Sequence, residues 1–231
     1  MSGRIMVIDP AEHETKFIIP AARLPVILRH LQSVCDPDPE FPSGVVSTIY
    51  YDTVELDLLR QKLDSDYLKS KVRLRWYCDL DGASQSDESF LEVKQRIGTL
   101  RNKLHLPAKF SPAWLSKCSL DDPQLNGIIP QILAAGEFLQ QHIFPILCLE
   151  YERHRFIERS GNTRVCLDQD IRVTKVNPSY LKHTNPLALG LGVFELKGEV
   201  LQLPATLLPV VDLGGRKGSF SKYLACFQHS C

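Results

Sequence analysis

The sequence lacks several features that would place it quickly in a functional class. Its 27 basic and 27 acidic side chains cancel, so no overall field draws it to nucleic acid or to an anionic membrane. No segment approaches the ~18 consecutive apolar residues of a membrane-spanning helix, and residues 1–10 lack the apolar core of a signal peptide. We therefore expect a cytoplasmic protein with no membrane segment and no nucleic-acid partner.

Cysteine pairs with a structural spacing are also missing. The seven cysteines are odd in number, scattered along the chain, and contain no C-x-x-C pair. This arrangement favours neither a disulfide framework nor a zinc site. Reduced thiols are the expected state, in keeping with a cytosolic compartment.

Strand patterns dominate what is present. Alternating or β-branched segments, most of them separated by turn signals, predict eight strands. They cover residues 12–19, 45–53, 68–78, 90–97, 99–106, 146–158, 163–173 and 193–200. Helical spacing is found at 24–34 and 54–63, in parts of 107–142, at 207–213, and around Lys222 and Tyr223. No regular βαβ alternation occurs, so the pattern predicts one α+β domain over residues 1–231 with a mainly antiparallel sheet.

Charge is sorted onto one face of these strands. In the segment 68–78, basic side chains at every second position alternate with apolar ones such as Val72, Leu74 and Trp76. Charged pairs with the same period-two spacing are Glu92 with Lys94 and Glu195 with Lys197. The N-terminal strand has the same pattern in Glu12, Glu14 and Lys16.

Two interpretations of the charged faces stay open at this point. They could simply meet water, with surface ion pairs worth ~0–1 kcal/mol each. Alternatively, helices could cover the apolar face while the sheet curls so that its charged face lines the inside. Basic residues outnumber acidic ones on these faces although the whole chain is neutral, so such an interior calls for a polyanion. The carboxylates among them suit Mg²⁺ or Mn²⁺.

The order of short motifs resembles the triphosphate tunnel metalloenzyme superfamily, whose N-terminal signature is E-x-E-x-K. Within it, the chain is most similar to the VTC domain, the polyphosphate polymerase domain of the vacuolar transporter chaperone complex. The motifs run in order from Glu12-His13-Glu14-Thr15-Lys16 through 47–53, 71–75, 92–94 with Lys103, 151–156, Arg164 with 167–168, 195–197 and 221–223. One E-x-K is weak evidence, whereas this many motifs in order over nearly the whole chain are specific.

The resemblance implies an antiparallel eight-stranded β-barrel tunnel with helices packed outside. It also implies metal-dependent transfer of the γ-phosphate of ATP, or of another triphosphate, onto inorganic polyphosphate or pyrophosphate. The side chains expected to bind phosphate are Lys16, Arg73, Arg75, Lys94, Lys103, Arg153, Arg155, Arg164, Lys197 and Lys222. Catalytic roles fall on Lys16, Arg73, Arg75, Lys94, Arg155, Arg164 and Lys197. Glu195 is the first candidate to hold Mn²⁺ or Mg²⁺, followed by Glu14 and Glu12.

The same tunnel could serve other functions. Water could replace polyphosphate as the acceptor, which would give a hydrolase of tripolyphosphate or nucleoside triphosphates, and a non-catalytic polyphosphate-binding module is a third possibility. An anionic phosphate acceptor needs no general base, so none is assigned. Lys69 and Lys71 are expected near a tunnel mouth or in solvent, and Gly214–Ser219 is expected to be a mobile loop or linker. The sequence leaves the oligomeric state open.

Overall fold

One large antiparallel sheet dominates the computed structural model, which describes residues 13–64, 67–81, 85–98, 100–135, 142–160, 163–182, 188–198 and 202–230. Its strands are β1 His13–Pro20, β2 Cys35–Pro37, β3 Ser43–Asp52, β4 Leu68–Cys78, β5 Gln85–Ile97, β6 Leu100–Pro107, β7 Phe144–Glu158, β8 Thr163–Val176, β9 Leu191–Gly198 and β10 Arg216–Lys217. The helices are α1 Leu24–Val34, α2 Asp57–Leu63, α3 Pro112–Leu115, α4 Ile128–Ala134, α5 Pro209–Asp212 and α6 Lys222–Ser230. The predicted α+β class is confirmed.

The sheet has ten strands, so the prediction of eight was too low. The additional strands are β2 and β10, both of three residues or fewer. Neither has the alternation that marks a strand in sequence, because each is a short addition that pairs along one strand only. Strand β2 pairs with β7, and β10 pairs with β1 through Phe17 and Ile18. The loop expected over Gly214–Ser219 therefore contains a strand.

Strand order is β10-β1-β9-β8-β7-β3-β4-β5-β6, and β2 pairs with β7 outside this path. Among the described residues no pairing joins β6 to β1 or β10, so the hydrogen-bonded path is open and is not the closed eight-stranded barrel that was predicted. The sheet is nevertheless curved. A single cavity is lined by β1 and β9 at one end of the path and by β4, β5 and β6 at the other. Its inner side is called the concave face below.

Helices cover the other, convex face. Val72, Leu74 and Trp76 of β4 pack in one cluster with side chains of α3, α4 and the turn before α4. Phe194 and Leu196 of β9 pack in a second cluster with side chains of α1. Each fully buried side chain of this kind contributes about 1.5–3 kcal/mol. The predicted division between a charged face and a helix-covered apolar face is confirmed.

A third apolar cluster includes side chains of the concave face. Helix α6 packs there, with Tyr223 stacked on Tyr50 at a ring-centroid distance of 4.9 Å. Leu147 and Leu149 of β7 and Val193 of β9 are buried in the same cluster. The concave face is therefore divided into a charged part and an apolar part under α6.

Among the described residues, no helix has the length and apolarity needed to cross a membrane.

Asp52, at the end of β3, ties two helices to the sheet. Its Oδ1 accepts hydrogen bonds from the backbone N–H groups of Thr53 and Leu58, and its Oδ2 accepts from Leu59 N–H and from the Tyr223 hydroxyl at 2.9 Å. The residue is fully buried. Asp52 thereby satisfies donors at the start of α2 and fixes the position of α6.

Asp52→Asn is expected to lower the free energy of unfolding by about 2 kcal/mol. The NH₂ group of asparagine would replace one accepting oxygen, so some of the N–H and O–H donors around it would lose their acceptor. Urea denaturation monitored by circular dichroism measures this loss. Asp122→Asn is the matched control, since Asp122 caps a turn through a single bond to Gln124 N–H and asparagine caps about equally well. A loss at Asp52 no larger than the loss at Asp122 would contradict the assignment.

Candidate functional site

The charged part of the concave face surrounds a cavity of about 460 Å³. Strands β1, β9, β4, β5 and β6, helix α2 and the segment before α6 all contribute to its wall. The lining residues are Glu14, Lys16, Lys62, Lys69, Lys71, Lys94, Gln95, Arg96, Asn102, Lys103, Lys197, Gly218, Ser219 and Phe220. Eight of the fourteen side chains or backbone positions are lysine or arginine and one is a carboxylate, so the cavity is strongly basic within a neutral chain.

Three lysines form a row across neighbouring strands, which we call the lysine row. Lys71 on β4 lies opposite Lys94 on β5, and Lys94 lies opposite Lys103 on β6. Like charges directly opposite one another destabilise a sheet. None of the three makes an ion pair with any residue in the described part of the chain. An arrangement that disfavours the empty protein in this way is typical of a site that binds an anion.

Burial and repulsion within the cavity lower the pKa values of Lys71 and Lys94. The Arg73 guanidinium, partial burial and Lys197 together lower the pKa of Lys94 to about 7, against the opposing effect of Glu92. Burial and the charges of Lys16 and Arg73 lower the pKa of Lys71 to about 8. An anion that enters the cavity would supply a negative charge beside the Lys71 and Lys94 ammonium groups and would raise their pKa values again.

We expect the Lys94 ammonium to titrate near pH 7 in the empty protein and at higher pH after tripolyphosphate is added. Because the anion raises the pKa, linkage requires it to bind more tightly below that pKa and less tightly as the pH rises through it. The ¹³Cε shift of labelled lysine, followed against pH, measures the change, and loss of the signal in Lys94→Arg assigns it. A Lys94 signal that does not move when the anion is added would contradict the interpretation.

Two arginines of β4 lie deeper, against a shared carboxylate. Arg73 Nε donates to Glu92 Oε2 at 2.6 Å, and its Nη2 contacts the same oxygen. Arg75 Nη1 lies 3.8 Å from Glu92 Oε2, and its Nη2 donates to the Tyr151 hydroxyl at 3.3 Å. Burial raises the pKa of Glu92, but Arg73 and Arg75 outweigh it and hold that pKa well below its usual range. Glu92 therefore stays ionised and orients both guanidinium groups.

Glu195 contacts three cations, and only 5% of its side chain is exposed. Its Oε1 lies 3.4 Å from Lys16 Nζ and 3.2 Å from Lys222 Nζ, and its Oε2 accepts from Arg153 Nη2 at 3.3 Å. Burial raises the pKa of Glu195, but these three cations, led by Lys222, lower it well below the usual range. Lys16 Nζ also lies 3.1 Å from Glu14 Oε1, so one ammonium group bridges two carboxylates.

Arg153 and Lys222 converge on a fully buried Asp168. Arg153 donates from Nε to Asp168 Oδ1 at 2.6 Å and from Nη2 to Oδ2 at 2.7 Å. Lys222 Nζ lies 2.5 Å from Oδ2 and 4.7 Å from the centre of the Tyr151 ring. Burial lowers the pKa of Lys222, but Asp168 and Glu195 raise it above the usual range. Both cations already have buried counter-charges, which distinguishes them from the lysine row.

The two carboxylates that contact Lys16 are the candidates to hold a divalent metal. No group of three or more His, Cys, Asp or Glu side chains with metal-binding geometry occurs among the described residues, and Glu12 lies outside them. Glu14 and Glu195 nevertheless supply hard oxygen donors at one place, and 37% of the Glu14 side chain is exposed. Phosphate oxygens and water can complete the coordination of Mg²⁺ or Mn²⁺. These two residues therefore fit a cation that arrives with a phosphate ligand.

The structure brings most of the predicted phosphate-binding residues together. Lys16, Lys94, Lys103 and Lys197 line the cavity, while Arg75, Arg153 and Lys222 are buried and Arg73 is largely buried, all four in ion pairs outside the lining. Arg155 and Arg164 are not among the lining residues. Arg155 Nη1 donates to the Phe41 carbonyl at 3.1 Å, and Arg164 is exposed on β8, opposite Lys197 in register.

Sequence reasoning missed part of the wall. Lys69 and Lys71, which were expected near a tunnel mouth or in solvent and were not named as phosphate-binding residues, both line the cavity. Their alternation with Arg73 was the signal that could have included them. Arg96 could have been included in the same way, because it alternates with Lys94 along β5. Lys62 had none, because it lies on helix α2 and reaches the cavity only through the packing of that helix beside β4.

Comparisons with known proteins agree with this geometry. The family model of the VTC domain matches residues 11–230. Two solved structures, provisionally assigned as adenylate cyclases, share the fold. The one from Bacillus halodurans has 12% identity and a TM-score of 0.53 and covers 92% of this chain and 96% of its own. The one from Vibrio parahaemolyticus has 13% identity and a TM-score of 0.50 and covers 93% of this chain and 96% of its own.

A search of curated proteins found no significant match. At such low identity the two solved structures show a common fold and nothing about the reaction. The family match is of another kind, because it extends over nearly the whole sequence and includes every strand described above. The chain belongs to the VTC domain family.

Proposed function

We propose that this protein is a metal-dependent phosphotransferase that moves the γ-phosphate of ATP, or of another triphosphate, onto inorganic polyphosphate inside the basic cavity. The observation that carries the proposal is the lysine row, Lys71, Lys94 and Lys103, whose mutual repulsion a bound anion would relieve. Membership of the VTC domain family supports a linear phosphate chain as that anion.

The side chains present suit this chemistry. Phosphoryl transfer passes through a transition state with charge spread over the transferred group, and it depends on positioning and electrostatic stabilisation. The lysine row supplies point charges, while Arg73 and Arg75 present forked donors. Glu92 holds both guanidinium groups in place through its contacts. An anionic acceptor has no proton to lose before it attacks, so no general base is assigned.

Glu14 and Glu195 would hold the metal. A bound Mg²⁺ or Mn²⁺ would neutralise phosphate oxygens and orient the triphosphate when present. Lys16 now contacts both carboxylates and is free to contact phosphate when a cation takes its place beside them. The proposed roles of Arg155 and Arg164 lie at the periphery, since neither side chain lines the cavity.

Hydrolysis of tripolyphosphate or of a nucleoside triphosphate is the second candidate function. It is favoured by the apolar part of the concave face, where Tyr50, Leu149 and Tyr223 fill the space under α6. A long polyphosphate must pass such a region or leave the way it entered, whereas a triphosphate with water as the acceptor needs only the charged part.

Product analysis separates the candidates. The protein is incubated with ATP or tripolyphosphate and with Mg²⁺, Mn²⁺ or neither, and ³¹P NMR with gel electrophoresis follows the products. Longer phosphate chains made from ATP support the phosphotransferase, and orthophosphate alone supports the hydrolase. Tight binding of polyphosphate without any metal-dependent turnover would overturn both and leave a binding module.

A further inference from the structure

Among the described residues, Lys62 is the one cavity cation that comes from a helix. It lines the cavity from α2, and its Nζ lies 2.6 Å from the Ser219 Oγ of the segment that leads into α6. Gly218 and Phe220 of that segment line the cavity as well. The contact between Lys62 and Ser219 thus joins α2 to the segment before α6, two parts of the cavity wall that are not strands of the sheet.

Charges of one sign surround Lys62. Partial burial and the neighbouring charges of Lys69, Lys16 and Arg96 lower its pKa. Lys69 and Arg96 lie opposite each other on β4 and β5. Lys62, Lys69 and Arg96 make no ion pair with an acidic residue in the described part of the chain. We call these three residues the outer cation group.

The outer cation group is separate from the lysine row. Lys69 precedes Lys71 by two residues and Arg96 follows Lys94 by two, so both belong to the next row on the same face. That row is displaced by roughly 6.6 Å along the strands. A triphosphate held by the lysine row and the arginines behind it leaves the outer cation group without a counter-charge. A longer chain can reach it.

We infer that Lys62, with Lys69 and Arg96, forms an outer subsite that selects linear phosphate chains longer than triphosphate. The inference rests on the proposed function and adds the residues that recognise the length of the chain. Phosphates beyond the third neutralise this group, and Ser219 holds Lys62 in position over them. Selection by length follows because a short chain gains nothing from the outer cations.

Binding without turnover tests the inference. Affinities of wild-type protein and Lys62→Gln for tripolyphosphate and for polyphosphates of graded length are measured by calorimetry in EDTA, so that no metal-dependent reaction occurs. Glutamine keeps a donor for Ser219. We expect Lys62→Gln to weaken long-chain binding roughly threefold to tenfold, as for a charge-assisted contact. Tripolyphosphate affinity should change less than about twofold, and Lys62→Arg should restore the preference.

The control is Lys117→Gln, which removes one exposed lysine from the loop after α3, outside the cavity lining. It corrects for the change in net charge at every chain length. Equal weakening at all lengths, or none at any length, overturns the outer subsite. If wild-type protein binds no phosphate chain at all, the proposed function itself fails, and the two failures are therefore distinguishable.

Discussion

Replacing Arg153 with methionine is expected to lower the free energy of unfolding by about 3 kcal/mol. Removing one member of a buried ion pair leaves the other charge without compensation, which typically costs 3–5 kcal/mol. Asp168 is fully buried and accepts two hydrogen bonds from Arg153. The lower end of the range applies because Lys222 remains beside Asp168. Urea denaturation gives the value.

Arg172→Met is the matched control for this experiment. Arg172 also pairs with an aspartate on β8, since its Nη1 lies 3.0 Å from Asp170 Oδ2, but both side chains are exposed. An exposed pair of this kind contributes about 0–1 kcal/mol. If Arg153→Met costs no more than Arg172→Met, Arg153 is not part of the framework and its role as a direct phosphate ligand gains ground.

Glu195→Gln should lower metal-dependent turnover by about 100- to 1,000-fold, the range found when one preorganised electrostatic group is removed from an active site. The amide keeps the shape of the side chain but loses the charge that would hold a divalent cation. Binding of tripolyphosphate in EDTA should be unchanged or tighter, because Lys16, Lys222 and Arg153 lose an internal competitor. Steady-state kinetics at saturating Mg²⁺ or Mn²⁺ and calorimetry measure the two effects.

Glu55→Gln makes the same chemical change on an exposed surface and serves as the control. Turnover of Glu195→Gln within threefold of the wild type would remove Glu195 from the metal site and leave Glu14 as the candidate. Weaker phosphate binding in EDTA would instead show that Glu195 organises the cations, since their positions would then depend on its charge. The two readouts therefore separate a metal ligand from an organising carboxylate.

Much of the fold could be predicted because alternation is local. Strand β4, Leu68–Cys78, has the predicted bounds, since basic and apolar side chains alternate along most of its length and both faces have a defined partner. Helix α1 was evident from the spacing of Leu24, Ile27 and Leu31, which are buried together. A pattern of this kind predicts which face of a strand or helix is buried. That was sufficient to predict that the charged strand residues lie on one face of the sheet.

What could not be predicted depends on contacts between distant parts of the chain. The position of α6 on the concave face follows from Tyr223 and its partners Tyr50 and Asp52, which lie far away in sequence. The same holds for Lys62, whose helix gives no sign of the cavity beside it. Ion pairing was only partly visible: Arg153 was predicted to bind phosphate but was given no catalytic role, whereas Lys94 was given both. Arg153 pairs with the buried Asp168, while Lys94 makes no ion pair with any described residue.

Glu195 Oε1 contacts Lys16 of β1 and Lys222 of α6, which places the earliest and the latest of the described elements on one oxygen atom. Closing a loop of that length costs conformational entropy before its contacts form. Chains rich in such distant contacts therefore fold slowly. During synthesis the carboxylate cannot acquire both lysines until α6 has left the ribosome. The site therefore cannot be complete before α6 is in place.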